Sequence, residues 1–203
     1  MYRPQAFAVD DRTTLRAFVR AHPFAIVALA KGGAVEIAYA PVVLDGDGAR
    51  FHLAAANPVA QAADGARLKL SFLGAHAYVS PDWYETAGMV PTWNYSAVEA
   101  EGIARRLTGD ALVRLLADLS AAEEAHLAPK APWTLDKVPS DRRERLLSAI
   151  VGFALDFETL EGKFKLSQNA KAEDAAGAMR GLEARGDAAS LAVAANMRRV
   201  AKP

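Results

Sequence analysis

Apolar positions along this chain follow two periods, and turn-forming residues separate the segments that carry them. Between Asp110 and Leu127, the residues Leu112, Leu115, Leu116 and Leu119 recur three and four apart, which predicts an amphipathic helix. Asp10 or Asp11 is placed to cap an earlier helix reaching about His22, with Leu15, Phe18 and Val19 on one side and Pro23 ending it. Asn57-Pro58 has the order of an N-cap followed by proline at the first helical position, opening a short helix to about Ala63. Ser140 to Ala149 has the spacing of a short, highly charged helix. From Ala170 the chain turns alanine-rich, with Gly186 positioned to stop one helix and Asp187 to cap the next.

The other segments read as strands. Phe24 to Ala30 is a buried run, and Lys31-Gly32-Gly33 is a hairpin turn leading back through Ala34 to Leu44, with an interruption expected near Pro41. Asp45-Gly46-Asp47-Gly48 turns into a strand from Ala49 to Ala54. Arg67 to Leu73 and Ala75 to Val79 are expected as separate strands on either side of Gly74, Thr92 to Leu107 as one long strand, and Ile150 to Leu160 as the last. On the long strand, Trp93, Tyr95 and Ala97 share one face and Asn94, Ser96 and Val98 the other. Short turns join several of these strands, as antiparallel pairing allows and parallel pairing does not. The order predicts an α+β barrel in a single domain, 1–203, with residues 170–203 as a helical C-terminal extension.

Composition narrows the function classes. The 203 residues are 52% hydrophobic and 24% charged, enough for a real core. Basic and acidic residues balance at 24 each, so bulk charge gives no support for nucleic-acid binding, although a local basic patch stays open. There is no cysteine, hence no disulfide, thiol nucleophile or thiolate metal site. The N-terminus lacks a signal-peptide pattern, and the longest apolar runs are too short to span a bilayer, so the chain is expected in the cytoplasm and off the membrane.

Motifs of common catalytic classes are missing: no Gly-x-Ser-x-Gly elbow, no His-Glu-x-x-His, no phosphate-cradling Gly-x-x-x-x-Gly-Lys-Ser/Thr. Asp45 to Gly48 lacks the ligand spacing of a calcium loop and reads as a plain turn. His22, His52, His76 and His126 are scattered, so no metal site is expected. Two dense segments remain. Gly162-Lys163-Phe164-Lys165-Leu166-Ser167-Gln168-Asn169 packs cations, a hydroxyl and amides together, suited to a phosphate and a polar heterocycle. Val90-Pro91-Thr92-Trp93-Asn94-Tyr95 adds flat aromatic faces. The two suggest a planar phosphorylated cofactor. Strand alternation offers a plainer account of Lys163 and Lys165 as solvated positions, and of Trp93 and Tyr95 as packing. The charged stretch Asp141 to Arg145 reads first as a solvated helix face and second as a phosphate or DNA contact.

Several blocks together resemble a known family. Met1-Tyr2-Arg3-Pro4, His22-Pro23-Phe24, Ala54 to Pro58, Gly74 to Pro81, Trp83-Tyr84, Val90 to Tyr95, Ile150 to Phe153 and Glu161 to Asn169 are similar to segments of the PaiB-type, FMN-binding negative transcriptional regulators. The resemblance implies an antiparallel, flavin-binding split β-barrel, usually a homodimer with FMN at each end of the interface. It implies Trp93, Asn94 and Tyr95 beside the flavin ring. Lys163, Lys165, Ser167, Gln168 and Asn169 would take the phosphate, ribityl or pyrimidine edge, with His52, Asn57 and His76 of second rank. The chain departs from that family at Ala55, where a basic residue is usual, and at Tyr39, where a histidine is common. A charge-assisted hydrogen bond lost at position 55 would cost about 1.5–3 kcal/mol of binding. The resemblance leaves DNA open as a partner and an FMN-dependent oxidoreductase open as the alternative. Haem on His52 or His76 is a lesser candidate, as is a barrel that has lost its cofactor.

Overall fold

The structure is a computed structural model that describes residues 1–200. By packing, the chain falls into two compact units. One is built from Met1–Leu15, Leu73–Val98 and the chain from Glu161 onward; the other from Arg16–Phe72 and Glu99–Leu160.

The second unit is a ring of antiparallel strands. Strand β2 (Phe24–Lys31) pairs with β3 (Ala34–Asp45), β3 with β4 (Gly48–Ala54), and β4 with β7 (Ile150–Asp156). The end of β6 (Thr92–Leu107) pairs with β7, and the start of β5 (Arg67–Val79) pairs with β2. Neighbouring β5 and β6 close the ring, aided by Gly65 N–H donating to Ala104 O at 2.8 Å and Ala104 N–H to Ala66 O at 2.9 Å. Alternate residues fill the interior, among them Val27, Leu68, Leu70 and the Phe51–Phe153 pair, whose ring centroids lie 5.6 Å apart. Helix α1 (Arg12–Ala21) starts where Asp11 accepts from Thr14 N–H at 2.8 Å. The short α2 (Pro58–Ala62) is capped by Asn57, as its sequence predicts. Helix α3 (Gly109–Glu124) buries Leu112, Leu115 and Leu119 against Val43, Leu107 and Leu147, the last from the charged α4 (Ser140–Ser148).

In the first unit, β1 (Ala8–Val9) pairs with β8 (Thr159–Lys165), and the strand order runs β1–β8–β6–β5. Helices α5 (Ala172–Arg185) and α6 (Ala188–Val200) close one face of it, packing Ala178, Leu182, Val193, Ala194 and Met197 against Ala77, Val79 and Leu166. Gly186, at φ 75°, ends α5, and Asp187 accepts from Ser190 N–H at 3.0 Å to start α6.

Three strand boundaries differ from those read in the sequence. Pro41 does not interrupt β3, because it stands where β3 changes partner: pairing with β2 ends at Pro41 and pairing with β4 begins at Val42. A missing N–H is tolerated at such a position. Gly74 stays inside a continuous β5 and has no positive φ. The run from Ile150 is two strands, because Phe157 N–H turns to Asp47 O and Glu158 N–H to Glu101 O between them. As a result β8 extends through Lys165.

The loop after β5 is fastened to α5. The buried Asp174 carboxylate accepts from Glu85 N–H and Thr86 N–H, both at 2.9 Å, and from Thr86 Oγ1–H at 2.8 Å. The bond from Thr86 N–H, with the other two, outweighs burial and holds the Asp174 pKa below the usual carboxylate range. A depressed folded-state pKa contributes stability above the unfolded pKa, near 4, that disappears as pH falls through the folded value. Asp174→Asn should therefore lower the melting temperature at pH 7, with the gap to the parent protein narrowing below about pH 4. A gap unchanged down to pH 2 in a thermal melt series would assign the loss to packing instead.

Candidate functional site

Strand alternation places one set of side chains on the open face of the first unit, opposite the helices. On β5 these are His76 and Tyr78, on β6 Trp93 and Tyr95, and on β8 Lys163 and Lys165. Trp93 is 53% exposed. Its ring centroid lies 6.1 Å from that of His76 and 6.3 Å from that of Tyr78, the latter edge-on at 75°. His76 Nδ1 is 3.2 Å from Gly74 O, which orients the imidazole. Lys163 Nζ stands 5.4 Å from the Tyr95 ring centroid and 5.3 Å from that of Tyr2. Lys165 Nζ donates to Thr92 Oγ1 and, at 2.8 Å, to Trp93 O.

Neither lysine has a carboxylate partner among the described residues. Partial burial, and then the like charge of Lys163, pull the Lys165 pKa below its ordinary value. Two cations held side by side without an anion, bordered by an exposed indole and phenol rings, have the chemistry of a site for an aromatic phosphate. The phosphate, ribityl chain and ring of FMN match that donor set.

The remaining residues from the sequence reading sit elsewhere. Asn94 is fully buried beneath this face; its Nδ2 donates to Ser167 Oγ at 2.8 Å and lies 3.4 Å from Met197 Sδ, while its Oδ1 has no partner. Ser167, only 7% exposed, occupies a left-handed turn at φ 62°. Gln168 folds onto its own turn, donating to Phe164 O and accepting from Leu166 N–H at 2.7 Å. Asn169 is exposed on that turn. His52 and Asn57 belong to the second unit. Asn57 spends its side-chain oxygen on Val59 N–H at 2.9 Å. His52 is half-buried with Nδ1 unpartnered, and burial lowers its pKa. Ala55 donates its N–H to Ala149 O at 2.9 Å. Tyr2, Tyr78 and Thr92 border the site without having been read from the sequence. The alternation from His76 would have reached Tyr78, whereas nothing local points to Tyr2.

The geometry defines an antiparallel split β-barrel with a cation-and-aromatic face, and comparison with known proteins gives it a family. A family model described as "Putative FMN-binding domain" matches residues 1–159, and the chain belongs to that family of FMN-binding domains. FMN is accordingly the cofactor that membership assigns to it. The chain is 31% identical to the protease synthase and sporulation protein PAI 2 of Bacillus subtilis, over 86% of this chain and 85% of that protein. It is 29% identical to the uncharacterized protein AN0679 of Emericella nidulans, over 96% and 95% of the two chains. Among solved structures, the FAD and haem binding protein of Mycobacterium smegmatis superposes with a TM-score of 0.59 at 18% identity, covering 78% of this chain and 73% of that one. The flavocytochrome Anf3 of Azotobacter vinelandii gives the same TM-score and identity over 81% and 72%. These likenesses are of fold. No helix among the described residues is long and apolar enough to cross a membrane.

Proposed function

We propose that this chain is an FMN-binding negative transcriptional regulator of the PaiB type, with the flavin held on the β5–β6–β8 face. The observation that carries the reading is the Lys163–Lys165 pair without a carboxylate partner, beside the exposed ring of Trp93. Lys163 and Lys165 hold the phosphate, and Trp93, Tyr95 and Tyr78 cover the ring. Asn94 and Ser167 act from beneath by fixing the β6 and β8 backbones. FMN, when bound, supplies a ring that accepts and returns electrons. Titration of the purified protein with FMN, followed by flavin fluorescence, tests the reading: saturation at one flavin per chain supports it, and no saturation removes it.

The regulator acts as a homodimer in this reading. On the outer side of the second unit, Phe24, Val35, Ile37 and Tyr39 form an exposed apolar row, with Phe24 and Tyr39 stacked at 6.4 Å. Beside it lie opposite charges, the pairs Arg67–Glu158 and Lys69–Glu101. An apolar centre with a rim of both signs is self-complementary and suits a second copy of the chain across a two-fold axis. Ile37→Asp is expected to convert the dimer to monomer in sedimentation-velocity runs while the fold survives; an unchanged sedimentation coefficient places the interface elsewhere. DNA, in this reading, is met through the second unit's charged α4, with Arg142, Arg143 and Arg145; the first unit offers Arg198 and Arg199 of α6 as a separate candidate patch. Binding should weaken steeply with salt. Rapid reduction of bound FMN by NAD(P)H, with no DNA binding, would favour the oxidoreductase alternative.

A further inference from the structure

The second unit holds a cavity of about 540 Å³ between the last turns of α1 and α3, floored by β3 residues Val42, Val43 and Leu44. Its walls are apolar, and its ionisable lining consists of Arg20, Glu123 and His126. Arg20 and Glu123 line the same space yet form no ion pair, with each other or with any described residue. Both helices end at this cavity: Arg20 and Ala21 close α1, and Ala122 and Glu123 lie in the last turn of α3. Helix C-termini carry partial negative charge from carbonyls without intrahelical partners. Arg20 offsets its own helix end, but Glu123 adds a full negative charge to the other. Glu123 thus stands without an ion-pair partner at the rim of an apolar floor, and the cavity has the volume of a small-molecule site.

We infer that this cavity is a binding site for a small organic cation, an amine on an apolar or aromatic body, with Glu123 as its counter-ion. The site does not depend on the flavin reading, since every residue that lines it lies in the unit without Trp93, Lys163 and Lys165. The apolar body displaces water from over Val43 and Leu119, and the ammonium takes the place that no protein cation fills beside Glu123.

Tryptamine and indole-3-propionate test it, because they share an indolyl-ethyl body and differ in the sign of their charge. In calorimetric titrations of the full chain, tryptamine should bind one per chain and about tenfold or more tighter than indole-3-propionate. Glu123→Gln should remove about that factor, and Ala122→Trp, which fills the cavity from an exposed position, should abolish binding. FMN saturation should be unchanged in both variants. Failure of tryptamine to bind, equal or tighter binding of indole-3-propionate, or tryptamine affinity unaltered in Glu123→Gln would each overturn the inference.

Discussion

Replacing Lys163 and Lys165 together by glutamine is expected to weaken FMN binding about a hundredfold or more while riboflavin binding stays where it was. Each lysine offers a charge-assisted hydrogen bond worth about 1.5–3 kcal/mol, and two such bonds correspond to two decades or more in dissociation constant. Glutamine keeps the reach and polarity of lysine but removes the charge. Phe164 and Leu166, which alternate with the lysines, pack in the cluster under the helices. The substitution should therefore leave the fold intact, and relief of the Lys163–Lys165 repulsion acts in the same direction. Riboflavin lacks the phosphate, so it serves as the internal control. If FMN and riboflavin lose affinity in parallel, the lysines order the ring surface and the phosphate is bound elsewhere. If neither changes, this face is not the flavin site.

Gly177→Ala is expected to lower the melting temperature by about 4–8 °C, near 2 kcal/mol for a chain of this size. An added Cβ at Gly177 would stand 2.0 Å from the carbonyl oxygen of Trp83, and one at Gly181 2.1 Å from Cδ2 of the Trp83 ring. No rotamer change relieves a clash with a backbone oxygen, so α5 or the loop must shift. Alanine ordinarily gains about 0.5–1 kcal/mol over glycine inside a helix, which this contact has to exceed before any loss is seen. The two glycines sit one turn apart and together form the seat for Trp83. Gly181→Ala should show a similar loss, and removing the ring with Trp83→Ala in that background should return part of it. A double-mutant cycle on thermal unfolding measures this coupling. A cycle with no coupling energy would mean that the indole does not rest on this helix.

The elements that the sequence revealed are those decided by local chemistry. Asn57-Pro58, Gly186-Asp187 and Asp11 sit at helix ends as capping rules require, and the leucine spacing in α3 marks its buried side. What failed depended on partners distant in sequence. Pro41 looks like a strand breaker until β3 is seen to exchange β2 for β4 there. Phe157 and Glu158 end a strand only because Asp47 O and Glu101 O are waiting for their N–H groups. The site divides in the same way. Alternation alone places Trp93 and Tyr95 opposite Asn94, and the β8 pattern places Lys163 with Lys165. It could not say which face the helices cover, and so could not show that Asn94 and Ser167 bond each other beneath the site.

The three stretches that compose the first unit are separated by the whole of the second. Contacts between segments so far apart in the chain are slow to form, because the intervening loop must be closed before any of them contributes. The ring strands emerge and can pair during synthesis, whereas Lys163, Lys165 and both covering helices follow the whole of the second unit. A nascent chain thus presents the indole of Trp93 well before the cations that accompany it. In the proposed reading, cofactor capture waits for the segment that carries Lys163 and Lys165, made after the second unit is complete.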